Sequence, residues 1–235
     1  MLHLGPTQRM TELGGTAVEE KLAFGFVSGL QQRPSTFECL APATRVVAAR
    51  LTPLGAWRIL GGLPQHELAR RVVDLEAAVG AAGTTAGLRQ RMGDARDLGT
   101  ALGIFERWLI ARLRSGPAPH PAVRAALDRL SRAAAPISAR DLASGSGLSQ
   151  RRLRELFHES IGVAPARLGR LLRFRGALEH LAREHDGDLA ELALRCGYYD
   201  QPHLYREFRE LAALTPHAYL RALGDGLDGT DVVAP

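Results

Sequence analysis

The chain is 235 residues long and 46% hydrophobic, so it can form one large domain or two ordinary ones with proper cores. Its positive charge, +5 net, is carried almost entirely by arginine, since Lys21 is the only lysine; this composition suits binding to phosphate and guanine, although a GC-rich genome produces the same bias. No stretch approaches the roughly 20 apolar residues that span a bilayer, and the N-terminus has no signal-peptide pattern, so we expect a soluble, cytoplasmic protein without a membrane partner.

Short apolar runs near the N-terminus predict a few strands. Residues 1–20 are mixed and rich in Gly and Thr, and we expect them to be poorly ordered. Strands are predicted over residues 22–30, over residues 36–40 and, most clearly, over residues 44–51. Two or three strands are too few for a closed barrel, so this region is predicted to hold a small sheet.

The next segment changes to a helical pattern. Short helices are predicted over residues 54–60 and 64–68, and an apolar stripe continues through residues 72–79. Residues 80–87 are small and predict a loop. A long helix with one apolar side is predicted over residues 94–114, where it can pack on the sheet or on a second subunit.

A domain boundary is predicted at residues 115–119, whose sequence Ser-Gly-Pro-Ala-Pro breaks the helix. Seven helices are predicted beyond it, with start signals at Pro121, Ser138, Ser149, Pro165, Asp188, Asp200 and Pro216. The predicted fold class is therefore mainly α: a small α+β region over residues 1–115 and an all-α domain over residues 116–224. The Gly/Asp-rich residues 225–235 are predicted to form a flexible tail.

Residues 138–158 and 188–209 follow the same plan, with a short helix, a glycine turn and a second helix with a polar outward face. The turns contain Gly147 and Gly197, and glycine permits the left-handed backbone that a tight turn requires. This is the helix-turn-helix plan, whose second helix enters the major groove of DNA. Two copies joined by a continuous helix predict binding to adjacent major grooves about 34 Å apart.

The outward faces of the two second helices supply candidate DNA contacts, with a merely solvated charged face as the alternative. Glutamine can pair with adenine and arginine with guanine, whereas Pro202 is expected to pack against the backbone or a thymine methyl group. His203 is open to a second interpretation as a passive surface residue. The candidate DNA-binding residues are Gln150, Arg151, Arg152, Arg154, Glu155, Tyr199, Gln201, Pro202, His203 and Arg206.

Four further arginines lie on or near the helix between the two units. Arg167, Arg170 and Arg175 are also expected to touch phosphate, whereas Arg173 is expected to brace the two halves by capping carbonyls. Cys39 and Cys196 are far apart and lack metal-ligand spacing, and the histidines share no ligand spacing either. We therefore expect free thiols in a reducing compartment, no metal site, no cofactor and no catalytic residue.

A set of residues in the second half of the chain follows a known family pattern. They are Leu142-Ala143, Gly147-Leu148-Ser149, Leu153, Leu156-Phe157, Gly162, Arg173, Ala177, Leu181, Leu192-Ala193, Cys196-Gly197-Tyr198, Asp200-Gln201, Leu204, Arg206, Phe208 and Thr215-Pro216. With these, residues of about 120–223 resemble the DNA-binding domain of the AraC/XylS family of transcription regulators. The resemblance implies seven helices with two helix-turn-helix units, double-stranded DNA and RNA polymerase as partners, and no catalytic activity.

Three positions depart from the family pattern. Glu155 stands where the family often has arginine, and a carboxylate there repels phosphate or accepts a hydrogen bond from a cytosine amino group. Ala213 stands where the family usually has glycine, which is expected to distort the turn that follows. Tyr199 replaces a small or acidic residue and adds a stacking or phosphate contact.

The N-terminal region, residues 1–115, is interpreted as a sensor or dimerisation region. Residues of about 22–115 are similar to a sensor region found ahead of this domain in some family members, and the family's typical sensor is a cupin-like barrel, here shortened. The resemblance implies a small-molecule effector and a homodimer, with no pocket residue carried over. Two alternatives stay open: a DNA-repair alkyl-transfer enzyme fused to an AraC-like module, and a ligand-binding protein with reduced DNA affinity.

Overall fold

We describe the fold from a computed structural model of the chain. The structure describes all residues except 1, 5–7, 13–19, 23–24, 31–34, 40–45, 70, 81–83, 134, 185–187 and 225–235. The predicted tail therefore lies outside the described residues. The predicted fold class is confirmed, because a small region of strands and helices precedes an all-α part.

Seven strands form two antiparallel sheets in the described part of the N-terminal region. They are β1 (Leu2–Leu4), β2 (Gln8–Glu12), β3 (Glu20–Leu22), β4 (Gly25–Ser28), β5 (Ser35–Cys39), β6 (Val47–Ala49) and β7 (Val72–Asp74). One sheet has the order β6-β1-β4-β7 and the other the order β3-β2-β5. In the first, His3 lies opposite both Phe26 and Ala48, so β1 is a central strand.

The strand predictions need correction. The expectation that residues 1–20 are poorly ordered is wrong for β1 and β2, which lie at the centre of the two sheets. The single strand predicted over residues 22–30 is also wrong, since β3 and β4 belong to different sheets. The strand predicted over residues 36–40 is found as β5, and that over residues 44–51 is reduced to β6, with residues 40–45 outside the described part.

Five helices follow or interrupt the strands: α1 (Pro53–Ile59), α2 (Gln65–Leu68), α3 (Leu75–Val79), α4 (Thr84–Gly93) and α5 (Leu98–Ser115). The apolar stripe over residues 72–79 is divided between β7 and α3. The loop predicted over residues 80–87 is partly wrong, because α4 begins at Thr84. The long helix α5 starts later than predicted because the carboxylate of Asp97 accepts a hydrogen bond from the Thr100 N–H (2.7 Å) and caps it.

The seven helices predicted for the second half are all found. They are α6 (Pro121–Arg132), α7 (Ala139–Ala143), α8 (Gln150–Ser160), α9 (Pro165–Arg183), α10 (Leu189–Arg195), α11 (Gln201–Ala212) and α12 (Pro216–Gly224). Their predicted caps are confirmed: Ser138, Ser149, Asp188 and Asp200 each accept a hydrogen bond from a first-turn N–H group. The units α7–α8 and α10–α11 are the two helix-turn-helix motifs.

Three apolar cores stabilise these elements, and α9 belongs to two of them. The N-terminal core includes Phe105 and Trp108. The core of the first helix-turn-helix unit includes Phe157 of α8 and Leu168 of α9. The core of the second unit includes Phe174 of α9 and buried side chains of α10, α11 and α12. Because α9 contributes side chains to both cores, it fixes the two units relative to each other.

The N-terminal region is docked on the first helix-turn-helix unit at the end of α8. Gly162 has a φ of +92°, and a Cβ atom there would lie 2.8 Å from the backbone oxygen of Gln65. The Nδ1 atom of His66 lies 3.3 Å from the backbone oxygen of His158. Leu54 of α1 also packs against the core of this unit. The close approach of two backbones at Gly162 therefore requires glycine on both conformational and steric grounds.

Ala213, which follows α11, is the only residue other than glycine with a positive φ among the described residues. Its φ of 55° and ψ of 17° are left-handed, where a Cβ atom is unfavourable. We expect Ala213→Gly to stabilise the protein by about 0.5–1 kcal/mol, seen as a higher urea midpoint with an unchanged slope. Ala212→Gly, one residue earlier within the helix, is the control and should lower the midpoint. A lower midpoint for Ala213→Gly would show that this site is not strained.

Candidate nucleic-acid interface

The second helices of the two units, α8 and α11, are called the reading helices below. Their N-caps are Ser149 and Asp200, whose side-chain oxygens accept hydrogen bonds from the N–H groups of Arg152 (3.1 Å) and His203 (2.7 Å). Four residues at matching distances from the cap are buried in each helix: Leu153, Leu156, Phe157 and Ser160 in α8, and Leu204, Glu207, Phe208 and Leu211 in α11. The outward faces therefore correspond position by position, and Glu155 takes the place of Arg206.

The outward side of α8 carries every site residue that the sequence predicted for this helix. Exposed on it are Gln150, Arg151, Arg152, Arg154 and Glu155. Arg154 makes no ion pair with any residue that the structure describes, so its guanidinium is available to a ligand. The structure thus brings the predicted group of the first unit together on one accessible helix, directly after its cap.

Glu155 is bound to two of these arginines. Its Oε1 atom accepts a hydrogen bond from Arg151 Nε (3.0 Å), and its Oε2 atom accepts one from Arg152 Nη1 (3.2 Å). The hydrogen bond from Arg151, followed by that from Arg152, holds the pKa of Glu155 below its usual value. Glu155 is therefore charged at neutral pH, and it offsets part of the positive charge on α8.

The outward side of α11 forms an open groove of about 410 Å³, lined by Gln201, Pro202, Tyr205, Arg206 and Arg209. Arg206 and Arg209 are exposed and make no ion pair within the described part of the chain. Sequence reasoning included Gln201, Pro202 and Arg206 but missed Tyr205 and Arg209. Their signal was present, since residues three, four and seven positions after Pro202 share its side of a helix.

His203 is directed differently from the groove residues. Its ring lies edge-on to the buried ring of Tyr198, with centroids 5.2 Å apart, and its Nδ1 atom is 3.4 Å from the backbone N–H of Tyr199. The side chain is half-buried in the turn before α11. Tyr199 itself is 87% exposed and free to contact a partner. The structure therefore separates His203, which packs on the turn, from its predicted neighbours.

Arg170 of α9 has a structural role that the sequence prediction did not include. Its Nε atom donates a hydrogen bond to Glu207 Oε1 (2.7 Å), its Nη1 atom donates to Glu210 Oε1 (2.7 Å), and its Nη2 atom contacts both carboxylates. Arg167 lies 3.5 Å from Glu210. Of the arginines expected to touch phosphate, Arg170 is thus occupied in holding α11 against α9, and Arg175 donates a hydrogen bond to Glu179. The available signal was Glu207, a carboxylate within the buried stripe of α11.

The described residues bear on three further kinds of site: a metal site, a reactive thiol and a membrane-spanning helix. No group of three or more His, Cys, Asp or Glu side chains in the described ranges is arranged to hold a metal ion. Burial raises the pKa of the Cys196 thiol, which makes a reactive thiolate less accessible. None of the described helices combines the length and the hydropathy that crossing a membrane requires.

Comparison with known proteins agrees with this geometry. A model of the helix-turn-helix domain family matches residues 142–222, from α7 to α12. No curated protein matches the chain in sequence. Among solved structures, ToxT from Vibrio cholerae has a TM-score of 0.51 at 10% identity, covering 94% of this chain and 88% of that one. Wild-type ToxT bound to an unsaturated fatty acid, from strain SCE256, has a TM-score of 0.50 at 11% identity, covering 93% and 85%.

A shorter structure also matches part of the chain. The transcriptional regulator with an AraC-type DNA-binding domain from Chromobacterium violaceum is 24% identical, with a TM-score of 0.41, and covers 45% of this chain and 95% of its own. At 10–11% identity the likeness to ToxT establishes similarity of fold alone. The ToxT likeness does so over both the N-terminal region and the helical domain.

Proposed function

We infer, from the premise that this chain is an AraC-type helix-turn-helix transcription regulator with its DNA-binding domain at residues 142–222, that it reads two consecutive major-groove segments of one DNA site. Each helix-turn-helix unit places one reading helix in a groove. The observation that carries the proposal is the matched phase of the two reading helices, α8 and α11, behind identical types of cap.

The length of α9 fits this arrangement. It has 19 residues, which corresponds to roughly 28 Å at the usual helical rise. Its side chains pack into the cores of both units, and its length is comparable with one DNA turn, about 34 Å. A rigid link of this length supports simultaneous contact with adjacent grooves, accompanied by bending of the duplex.

The candidate contacts follow from exposure and charge. In the second unit, Arg206 and Arg209 are exposed, make no ion pair with a described residue and anchor phosphates or guanine, and Tyr199 is exposed in the turn before them. Gln201 and Pro202 at the start of α11 face base edges, and His203 supports the turn. In the first unit, Gln150, Arg151, Arg152, Arg154 and Glu155 form the corresponding surface.

The N-terminal region is proposed to sense a small-molecule effector or to join two subunits. Support comes from the fold shared with ToxT, one structure of which holds an unsaturated fatty acid and another (E)-4-(8-methylnaphthalen-1-yl)but-3-enoic acid. Because α2 is docked at the end of α8, this region is in direct contact with the first helix-turn-helix unit. The proposed place of action is the cytoplasm, with RNA polymerase as a further partner of the bound regulator.

No catalytic activity is proposed. The alkyl-transfer alternative requires a reactive thiolate, and burial, which raises the pKa of Cys196, argues against this cysteine as the nucleophile. The alternative of a ligand-binding protein with reduced DNA affinity is favoured by Glu155 and by the strained Ala213. A DNA-binding measurement separates that alternative from the proposed function.

Replacing both unpaired arginines of α11, Arg206→Ala with Arg209→Ala, should weaken binding to the preferred duplex at least about tenfold. The reason is that each arginine neutralises a phosphate or pairs with a base, and the salt dependence should become shallower by up to about two units in the plot of log K against log salt. The measurement is a fluorescence-polarisation titration with a duplex selected from random DNA, repeated at several salt concentrations.

The matched control is Arg107→Ala with Arg114→Ala, which removes the same charge from exposed positions on α5. This pair should change affinity by less than about twofold, since rim and distant charges act only through screened electrostatics. Equal losses in the two double variants would contradict the assigned surface. If the wild-type chain selects no duplex at all, the reduced-affinity alternative replaces the proposed function.

A further inference from the structure

Glu155 lies on the outward side of the reading helix α8, at the position where the reading helix α11 has Arg206. Both side chains are exposed and lie six residues after their caps, Ser149 and Asp200. An arginine there is attracted to any duplex, because every site offers phosphate. A carboxylate is repelled by every phosphate and by most base edges, so on a DNA-facing helix it favours only a base that offers a hydrogen-bond donor.

The chemistry of the major groove supplies one such partner. Guanine presents two acceptors there, thymine presents an acceptor and a methyl group, and the adenine donor lies beside an acceptor, whereas cytosine presents only an amino donor. A carboxylate that can only accept is therefore matched by cytosine N4. Resting on the proposed function, we propose that Glu155 is the specificity-determining residue of the first unit and makes α8 select cytosine at one position of its half-site.

The ion pairs of Glu155 strengthen this selectivity. Arg151 and Arg152 both donate to its carboxylate, so the three side chains form one unit in the free protein. At a site with cytosine the carboxylate receives a hydrogen bond and stays compensated. At guanine or thymine it faces an acceptor or a methyl group, and at adenine the amino donor lies beside the N7 acceptor. At these bases the two arginines remain engaged with Glu155 instead of with phosphate. Non-specific binding by α8 is thereby reduced.

The two reading helices consequently have different tasks. Within the part of the chain that the structure describes, Arg206 and Arg209 of α11 make no ion pair and hold any duplex, whereas Arg154 is the only arginine of α8 without one. The first helix-turn-helix unit then contributes more to discrimination between DNA sequences than to affinity for DNA. This division explains how a chain can depart from an arginine at position 155 and still bind DNA specifically.

The test is a selection of bound sequences from random duplex DNA with the wild-type chain and with Glu155→Gln. The wild type should enrich cytosine at one position outside the half-site of α11, which is identified by the positions that Arg206→Ala alters. In Glu155→Gln the preference for cytosine should fall about tenfold, because the amide of glutamine can also pair with adenine. It should bind random duplex more tightly, with a salt dependence steeper by up to about two units, because two arginines are released to phosphate.

Glu159→Gln is the matched control, since Glu159 is exposed on the same helix and makes no ion pair with a described residue. It carries the same charge change and should leave the cytosine preference intact. A wild-type site without a selected cytosine, or a preference that persists in Glu155→Gln, would overturn the assignment. A wild-type chain that enriches no sequence would instead overturn the proposed function together with the inference.

Discussion

Arg170→Ala is expected to lower the free energy of unfolding by about 3 kcal/mol. The substitution leaves the Glu207 carboxylate, whose side chain is 7% exposed, without its cationic partner in the interface between α9 and α11. Removing one member of a buried pair typically costs 3–5 kcal/mol, and the lower end applies because Arg170 is itself 26% exposed. The expected change is measured from urea unfolding followed by circular dichroism.

A second pair on the same helix provides the control. Arg175 donates a hydrogen bond to Glu179 at 2.8 Å, but both side chains are 49% exposed. Arg175→Ala should therefore cost less than about 1 kcal/mol. Adding Glu207→Gln to Arg170→Ala should recover part of the loss, since it removes the unpaired buried charge. Equal costs for Arg170→Ala and Arg175→Ala would show that the pair with Glu207 is not buried in solution.

Arg170 also affects how the stability of the protein depends on pH. Hydrogen bonding to Arg170 holds the pKa of Glu210 below its usual value of 4.5, so this carboxylate stabilises the fold above that value. The contribution is lost as pH falls below 4.5 through the lowered pKa of the folded state. Arg170→Ala should remove this part of the acid destabilisation. The difference in stability between wild type and variant should thus be largest near neutral pH and shrink toward pH 3.

The helices of the second half could be predicted from the sequence because their boundaries depend on neighbouring residues. Ser149 and Asp200 cap the helices that begin at the next residue, each by accepting a hydrogen bond from the N–H group three residues later. Pro165 and Pro216 start helices by their own fixed backbone angle. The outward faces of α8 and α11 follow from the same helical spacing. The omission of Arg209 came from ending the predicted face at Arg206, although Arg209 lies on the same side.

The features that the sequence did not predict depend on distant partners. The short strand β1 is held between β4 and β6, which lie more than 20 residues away, and its three residues carry no clear strand pattern. The contact between Arg170 and Glu207 joins positions 37 residues apart. The contact of Gly162 with Gln65 likewise joins the two halves of the chain. Local propensity and periodicity contain no information about such pairings.

Gly162→Ala is expected to destabilise the protein by about 2–4 kcal/mol and to disturb the docking of α2 on the first helix-turn-helix unit. Two costs add at this position. The φ of +92° is unfavourable for alanine, and the new Cβ atom would lie 2.8 Å from a backbone oxygen, which cannot rotate away as a flexible side chain would. The measurements are urea unfolding and hydrogen exchange of the α2 amides, which should lose protection more than those of α11.

Gly147→Ala separates the two costs, because Gly147 also has a positive φ, of +71°, but a Cβ atom there would meet nothing within 4 Å. It should cost only the backbone strain, about 1 kcal/mol, and leave the protection of α2 unchanged. The difference in the free energy of unfolding between Gly162→Ala and Gly147→Ala then measures the contact between the N-terminal region and the first helix-turn-helix unit. Equal losses would mean that the two backbones do not meet at Gly162 in solution, and that α2 does not contact the end of α8 there.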